Sequence, residues 1–301
     1  MLVRHASKAK PGRQDESISE AMTLVSEKDL RAWVKYFSIP RHYHAQPIQN
    51  RQVAEDIAAL FTSWGYDVSF QGEFYNVVAR PKRAHGRVQL VAAHFDSTPE
   101  TPGADDNASA VAAMLGCAKA LATAAPDAPV MFVSFNREED GLVGSADFVE
   151  HLSAQQRKEI ACVQVLEMVG FASDDPNSQI TPPGLPINIP TTGNFLGLLS
   201  NKISGQEMNR LLGQAKASLP SFPVMGLHVL LGFEKILPVL LRSDHAPFWE
   251  AGIPSVMWTD TSEFRNPHYH LPSDLPETLN YAFLRQVTQL LIAAMLTADV
   301  E

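Results

Sequence analysis

Several carboxylates and two histidines stand just beyond apolar runs of this sequence. The run 88–93 ends in His94-Phe95-Asp96, the run 129–135 is followed by Arg137-Glu138-Glu139-Asp140, and the run 161–166 ends in Glu167. Asp105-Asp106-Asn107 opens an Ala-rich stretch, with Gly103 before it to permit a tight backbone approach. Asn266-Pro267-His268-Tyr269-His270 follows the last apolar run and adds imidazole. Nitrogen and oxygen donors without thiolate suit zinc, or cobalt or manganese in its place, whereas an all-oxygen set would suit magnesium or calcium. More carboxylates are present than one ion needs. Two ions about 3.5–4 Å apart, sharing a carboxylate, would activate a water between them and polarise a carbonyl. Adjacent acids such as Glu138 and Glu139 then divide the work, one binding metal and one moving protons.

These donors need elements that bring them to one rim. Apolar residues at helical spacing, most clearly Val53, Ile57, Leu60, Phe61 and Trp64, predict a helical pair over 26–64 that stops at Gly65. Strand-like runs follow at 66–70, 74–79 and 88–93, the last apolar enough for a central strand covered on both faces. Helix is expected over 107–125, strand over 129–135, helix over 144–152 and strand over 161–168. This alternation predicts an α/β fold of one domain, with a mixed, mostly parallel, twisted central sheet and helices on both faces. In such a sheet, reactive groups collect at the carboxyl ends of the strands, where the donor residues stand. Periodicity weakens through the Pro-rich stretch after Gly170. Residues 172–241 are expected to form an irregular insertion that covers the site, with a helical patch over 194–218. A short helix after Ser243, a strand over 254–258 and a terminal helix over 279–296 complete the expectation, so residues 21–301 form the functional domain.

The 301 residues suffice for a self-contained enzyme core, and 45% hydrophobic with 19% charged residues excludes a disordered chain. A formal net charge of −9 without a Lys/Arg stripe argues against nucleic acid as a partner. No apolar run is long enough to cross a bilayer, so no membrane partner is expected. Residues 1–20 lack the apolar centre and cleavage site of a secretory signal and read as a flexible arm, which points to the cytoplasm. Cys117 and Cys162 do not imply a disulfide framework and read as small buried apolar residues.

Taken singly, each of these residues has a plain structural reading. His94 alone would be a structural histidine, Asp106 a helix N-cap, Glu138-Glu139 a solvated loop, and His268-Tyr269-His270 a polar turn. His42 and His44 lie away from the strand ends and are set aside as metal ligands, and His151 and His228 have no evident partner. Phe171, Trp258, Phe264 and Tyr269 would line either a substrate pocket or the core.

In order along the chain, His94-Phe95-Asp96-Ser97, Gly103 to Ser109, Glu138-Glu139-Asp140-Gly141 running on to Gly144-Ser145, Ser243-Asp244-His245 and Tyr269-His270 resemble the motifs of peptidase family twenty-eight. That family holds di-zinc aminopeptidases, glutamate carboxypeptidases and glutaminyl cyclases. The resemblance runs from about residue 45 to the C-terminus. It implies a metal-dependent exopeptidase, chiefly an aminopeptidase acting on a peptide or dipeptide, with two zinc ions. Carried over by position, Asp106 would bridge both ions, Glu139 and His270 would complete one site, and His94 and Glu167 the other. Glu138 would be the general base, and Asp96 would orient the His94 ring. Asp244, His245 and Tyr269 would touch substrate or back the ligands. Many relatives carry Asp where Glu167 stands, and the extra methylene moves this carboxylate outward. Two rivals share the fold: a one-zinc glutaminyl cyclase and a binding module without catalysis. The uninterrupted passage from Glu138 to Ser145 argues against the first, and the full donor set argues against the second.

Overall fold

The computed structural model describes residues 1–83 and 86–298. The elements run β1 (Leu2–His5), α1 (Glu16–Thr23), α2 (Glu27–Phe37), α3 (Pro47–Ser63), β2 (Asp67–Gln71), β3 (Asn76–Arg80), β4 (Val88–His94), α4 (Ala110–Ala124), β5 (Val130–Phe135), α5 (Val143–Glu150), α6 (Ala154–Glu159), β6 (Ile160–Glu167), β7 (Leu196–Ser200), α7 (Gly205–Ser218), β8 (Val224–His228), α8 (His245–Glu250), β9 (Ser255–Thr259) and α9 (Tyr281–Leu296). Among the described residues all strands join one sheet of order β1-β8-β7-β9-β6-β4-β5-β3-β2. Its centre, β9-β6-β4-β5, is parallel, and antiparallel pairings flank it.

Central strands carry unbroken apolar runs because both of their faces are covered. In β4, Val91 and Ala93 point into the core under α1–α4, α7 and α9, while Leu90 and Ala92 meet a second core with Phe148 of α5 and Phe248 of α8. Burying a Phe or Leu side chain contributes about 1.5–3 kcal/mol. These two cores therefore hold rigid the sheet edge from which the donors project. No helix among the described residues is long and apolar enough to cross a membrane.

Three expectations are corrected. The stretch 1–20 is not a free arm: β1 pairs antiparallel with β8 through four residues, and Asp15 caps α1 by accepting from the Ile18 N–H at 3.1 Å. The stretch 172–241 is not simply irregular, because β7 and β8 extend the sheet from within it and α7 joins them. The predicted helical patch 194–218 is in fact strand, turn and helix: Leu196–Ser200 pairs with β9, and helix begins only at Gly205. Cys117 and Cys162 are free and buried, as expected.

Candidate active site

β4, β5 and β6 are neighbours and parallel, with His94 opposite Phe135, so their C-terminal ends share one rim. His94 and Glu167 are the last residues of β4 and β6, and Glu138-Glu139 turns away just past β5. The chain between β4 and α4 leaves helical geometry at Asp106 and Asn107, and the Asp106–Asn107 peptide is cis. Gly103 adopts φ +59° there, and a Cβ would fall 2.2 Å from the Asp106 carbonyl oxygen, so only glycine fits.

Two groups of donors result. His94, Glu138 and Glu167 form one, and Asp106, Glu139 and His270 form the other. Asp106 faces both imidazoles: Oδ1 is 3.4 Å from His94 Nε2, and Oδ2 is 3.0 Å from His270 Nε2. Glu167 Oε2 stands 3.5 Å and Glu138 Oε2 3.9 Å from His94 Nε2, and Glu139 Oε2 stands 3.3 Å from His270 Nε2. The extra methylene of Glu167 thus still lets its carboxylate reach the group.

The neighbouring side chains fix these donors. Asp96 lies 3.3 Å from His94 Nδ1 and accepts the backbone N–H groups of Glu138 and Glu139, each at 3.2 Å. Ser243 Oγ donates to Glu167 Oε2 at 2.7 Å. Asp274 accepts the backbone N–H groups of Asp105 (2.9 Å) and Asp106 (3.1 Å), and the Asn107 side chain bridges the Leu166 carbonyl and the Met168 N–H. Arg41, fully buried, donates to the Gly103 carbonyl at 3.0 Å and to that of Phe95. Burial lowers the Arg41 pKa to about 10, a cost that Asp96 and Asp106 partly offset.

The electrostatics are those of crowded buried acids. Burial pushes Glu138 well above the usual carboxylate range, and Glu139 to about 7. Burial opposes charging His94, yet Glu138 and Glu167 draw its pKa well above the usual value. His270 is raised to about 10 by Asp106 and Glu139 against the opposing effect of burial. Such a cluster attracts positive charge. Ligand atoms about 2.0–2.2 Å from one tetrahedral zinc sit roughly 3.3–3.6 Å apart. The N···O separations here bracket that spacing. Neither ring nitrogen of His94 makes a hydrogen bond, and Glu139 Oε1 makes none either. Buried donors at ligand spacing, left unpaired by the protein itself, fit metal ions of the zinc type.

Of the other expected residues, Tyr269 belongs to the site: it stacks on His270 at 3.8 Å between ring centroids, and its hydroxyl accepts from Arg242 at 3.0 Å. Asp244 is fully buried, near His94 and Glu167 and beside Ser145. His245 is not brought in. Its Nε2 bonds the Leu240 carbonyl at 2.9 Å and its ring meets Trp249 edge-on, so α8 directs it into the packing beneath the site. Trp258 is core, while Phe264 and Tyr269 line the cavity beside the donors. His42 is buried, with Nε2 3.3 Å from Asp140 and apart from both donor groups. Arg41, Ser243 and Asp274 escaped the sequence reading as supports. Ser243 had a signal, its place beside Asp244, whereas Arg41 and Asp274 act on backbone groups and carry none.

A model of peptidase family M28 matches residues 76–200 and 232–295. The chain is 32% identical over 280 residues to the uncharacterized protein YfbL of Escherichia coli (strain K12), covering 87% of this chain and 85% of that one. It is 29% identical to BSAP, a zinc aminopeptidase from Bacillus subtilis, over 73% of its length, with a TM-score of 0.54, and spans 48% of that longer chain. The LapA aminopeptidase of Legionella pneumophila shares the fold over 98% of this chain and 78% of its own, at TM-score 0.75 and 18% identity. The family match takes in all six donors, and the chain belongs to peptidase family M28 as a zinc metallopeptidase.

Proposed function

We propose that the protein is an aminopeptidase that uses two zinc ions and Glu138 as general base to hydrolyse the N-terminal bond of a peptide or dipeptide. The observation that carries this reading is the Asp106 carboxylate, one oxygen of which faces each imidazole. His94 and Glu167 would hold one ion and Glu139 and His270 the other, with Asp106, which faces both imidazoles, shared between them. Zinc, when bound, supplies a Lewis acid for the scissile carbonyl and lowers the pKa of water. Glu138 remains for proton transfer: its carboxylate lies 3.9 Å from His94 Nε2, and burial raises its pKa toward the range where a carboxylate both takes and returns a proton. It takes the proton of the attacking water and delivers it to the leaving amine. Asp96 holds the 138–139 turn by its backbone and so sets where Glu138 points.

A one-zinc cyclase would leave one donor group without use. The direct passage of Glu138-Glu139 into α5 favours the hydrolase. The test is metal content per chain together with turnover of leucine p-nitroanilide, before and after chelation and zinc return, in wild type and Glu138→Gln. We expect two zinc ions per chain, chelator-sensitive turnover, and a loss of about 10²–10⁴-fold in the variant with zinc retained. Turnover that survives Glu138→Gln would overturn the role given to Glu138, and a single zinc at full activity would overturn the two-ion reading.

A further inference from the structure

Beside the donors lies a cavity of about 180 Å³ with an ordered floor. Cross-strand register places two rows of residues on one face of the sheet. Thr259, Gly197 and Met225 face one another across β9, β7 and β8. One pleat further on, Met257, Leu199, Leu227 and Val3 continue across β9, β7, β8 and β1. All seven line the cavity, along with Glu138, Glu167 and His270. The alternate residue Trp258 points into the opposite core, so the rows form a surface of their own.

The cavity is polar where it meets the donors, with Arg242, Ser243 and Glu263 in its lining, and apolar toward β1. Glu167 pairs with Thr259, so the floor starts beside a donor and crosses three strand intervals to the sheet edge. At about 4.8 Å per interval it runs roughly 14 Å. That is more than twice the reach of a Leu or Phe side chain built from bonds of about 1.5 Å. Gly197 leaves a notch in the near row, where a Cβ would already stand 3.2 Å from the Thr259 carbonyl oxygen. An apolar cavity of about 150 Å³ holds one benzene. The volume here therefore suits a group somewhat larger than six carbons, and the length suits a chain better than a ring.

We infer that this trough takes a medium-length unbranched acyl chain, so that the centre also hydrolyses amides of fatty acids. The inference rests on the metal-centred amide hydrolysis proposed above but not on a substrate α-amino group. In the step, the water oxygen bonds to the acyl carbon, Glu138 takes the water proton, the C–N bond breaks, and the proton passes to the departing amine. A carboxylic acid and an amine result, with no oxidant or reductant. The tail lies over Gly197 and Leu199, and its end reaches Met225 and Leu227.

Zinc-loaded protein is assayed on p-nitroanilides of acetic, butanoic, hexanoic and octanoic acids, with leucine p-nitroanilide alongside. From butanoyl to octanoyl, kcat/KM should rise about four-fold per added methylene, as expected for burial of apolar surface. Leu227→Trp, which fills the middle of the trough, should bring the octanoyl to acetyl ratio down near one. A readout apart from turnover uses Glu138→Gln carrying a fluorescent fatty-acid probe. Octanoate should displace the probe and acetate should not, and Leu227→Trp should abolish binding. Turnover of leucine p-nitroanilide without any of octanoyl p-nitroanilide would overturn the inference and leave the aminopeptidase reading intact. A length preference that survives Leu227→Trp would also overturn it. Failure on both substrates would overturn the hydrolase reading, and the displacement result would then decide the trough alone.

Discussion

Asp244 and His245 are adjacent and fully buried, and burial moves their titrations in opposite directions, the carboxyl up to about 7 and the imidazole down to about 4. For His245 the folded state favours the neutral ring, which donates to the Leu240 carbonyl. A depressed pKa means that its stabilisation is present above the unfolded value of 6.5 and is lost as pH falls toward 4. The stability difference between wild type and His245→Gln, which keeps a donor, should therefore shrink by about 3 kcal/mol between pH 7 and pH 4. Urea denaturation of both proteins at the two pH values measures it, and a pH-independent difference would refute the linkage. Because Asp244 is present in both proteins, its opposing titration cancels. Residues of this kind mark the limit of reading a site from sequence. The donors were legible because their type, order and place after strands agree. His245 shares a motif with Asp244, yet the turn into α8 sends its ring elsewhere, and no spacing rule carries that direction.

The turn that presents Glu138 and Glu139 is held by three buried asparagines, Asn50 of α3, Asn76 of β3 and Asn136 just past β5. Asn136 donates to the Asn50 side chain at 2.9 Å and to the Phe74 carbonyl at 2.7 Å, and its own N–H bonds Asn76 Oδ1 at 3.0 Å. Asn76 in turn donates to the Gly144 carbonyl at 2.9 Å. This leaves no room at Gly144, where a Cβ would lie 2.0 Å from the Asn136 carbonyl oxygen and 2.7 Å from Asn76 Oδ1. Gly144→Ala should therefore cost about 2–4 kcal/mol by overpacking. By displacing the start of α5 it should also lower kcat on leucine p-nitroanilide more than it raises KM. A chemical-denaturation midpoint within error of wild type would show that the asparagine clamp yields easily. Elements buried on both faces, β4 to β6 and α4, could be read from continuous apolar runs. β7 and β8 could not: Leu196-Gly197-Leu198-Leu199-Ser200 and Val224-Met225-Gly226-Leu227-His228 are short, interrupted by glycine, and the first merges into the helical period of α7. β1 is only four residues with alternate exposure, too short for a strand pattern to register.

Across the whole molecule, the two ends of the chain close the same half of the fold. α9 packs on α1, α2, α4 and α7, and β1 finishes the sheet beyond β8. The N-terminal segment is tied down further where Lys216 donates to the Ser7 carbonyl at 3.0 Å and Arg4 bonds Asn209 at 2.5 Å. None of the six donors lies on this segment, so metal binding and the edge strand are separable. Deleting residues 2–8 removes the partner of β8 and exposes an unpaired edge whose sequence, Val224 to His228, is mostly apolar. Natural sheets avoid such edges because they template pairing with another chain. The truncated protein should keep its zinc content, lose several degrees of Tm, and associate in a concentration-dependent way relative to the intact chain, as light scattering after size exclusion would report. An unchanged Tm and unchanged mass would mean that β1 contributes neither stability nor protection. Loss of zinc instead would show that the far edge of the sheet is mechanically coupled to the donor rim through β7 and β9.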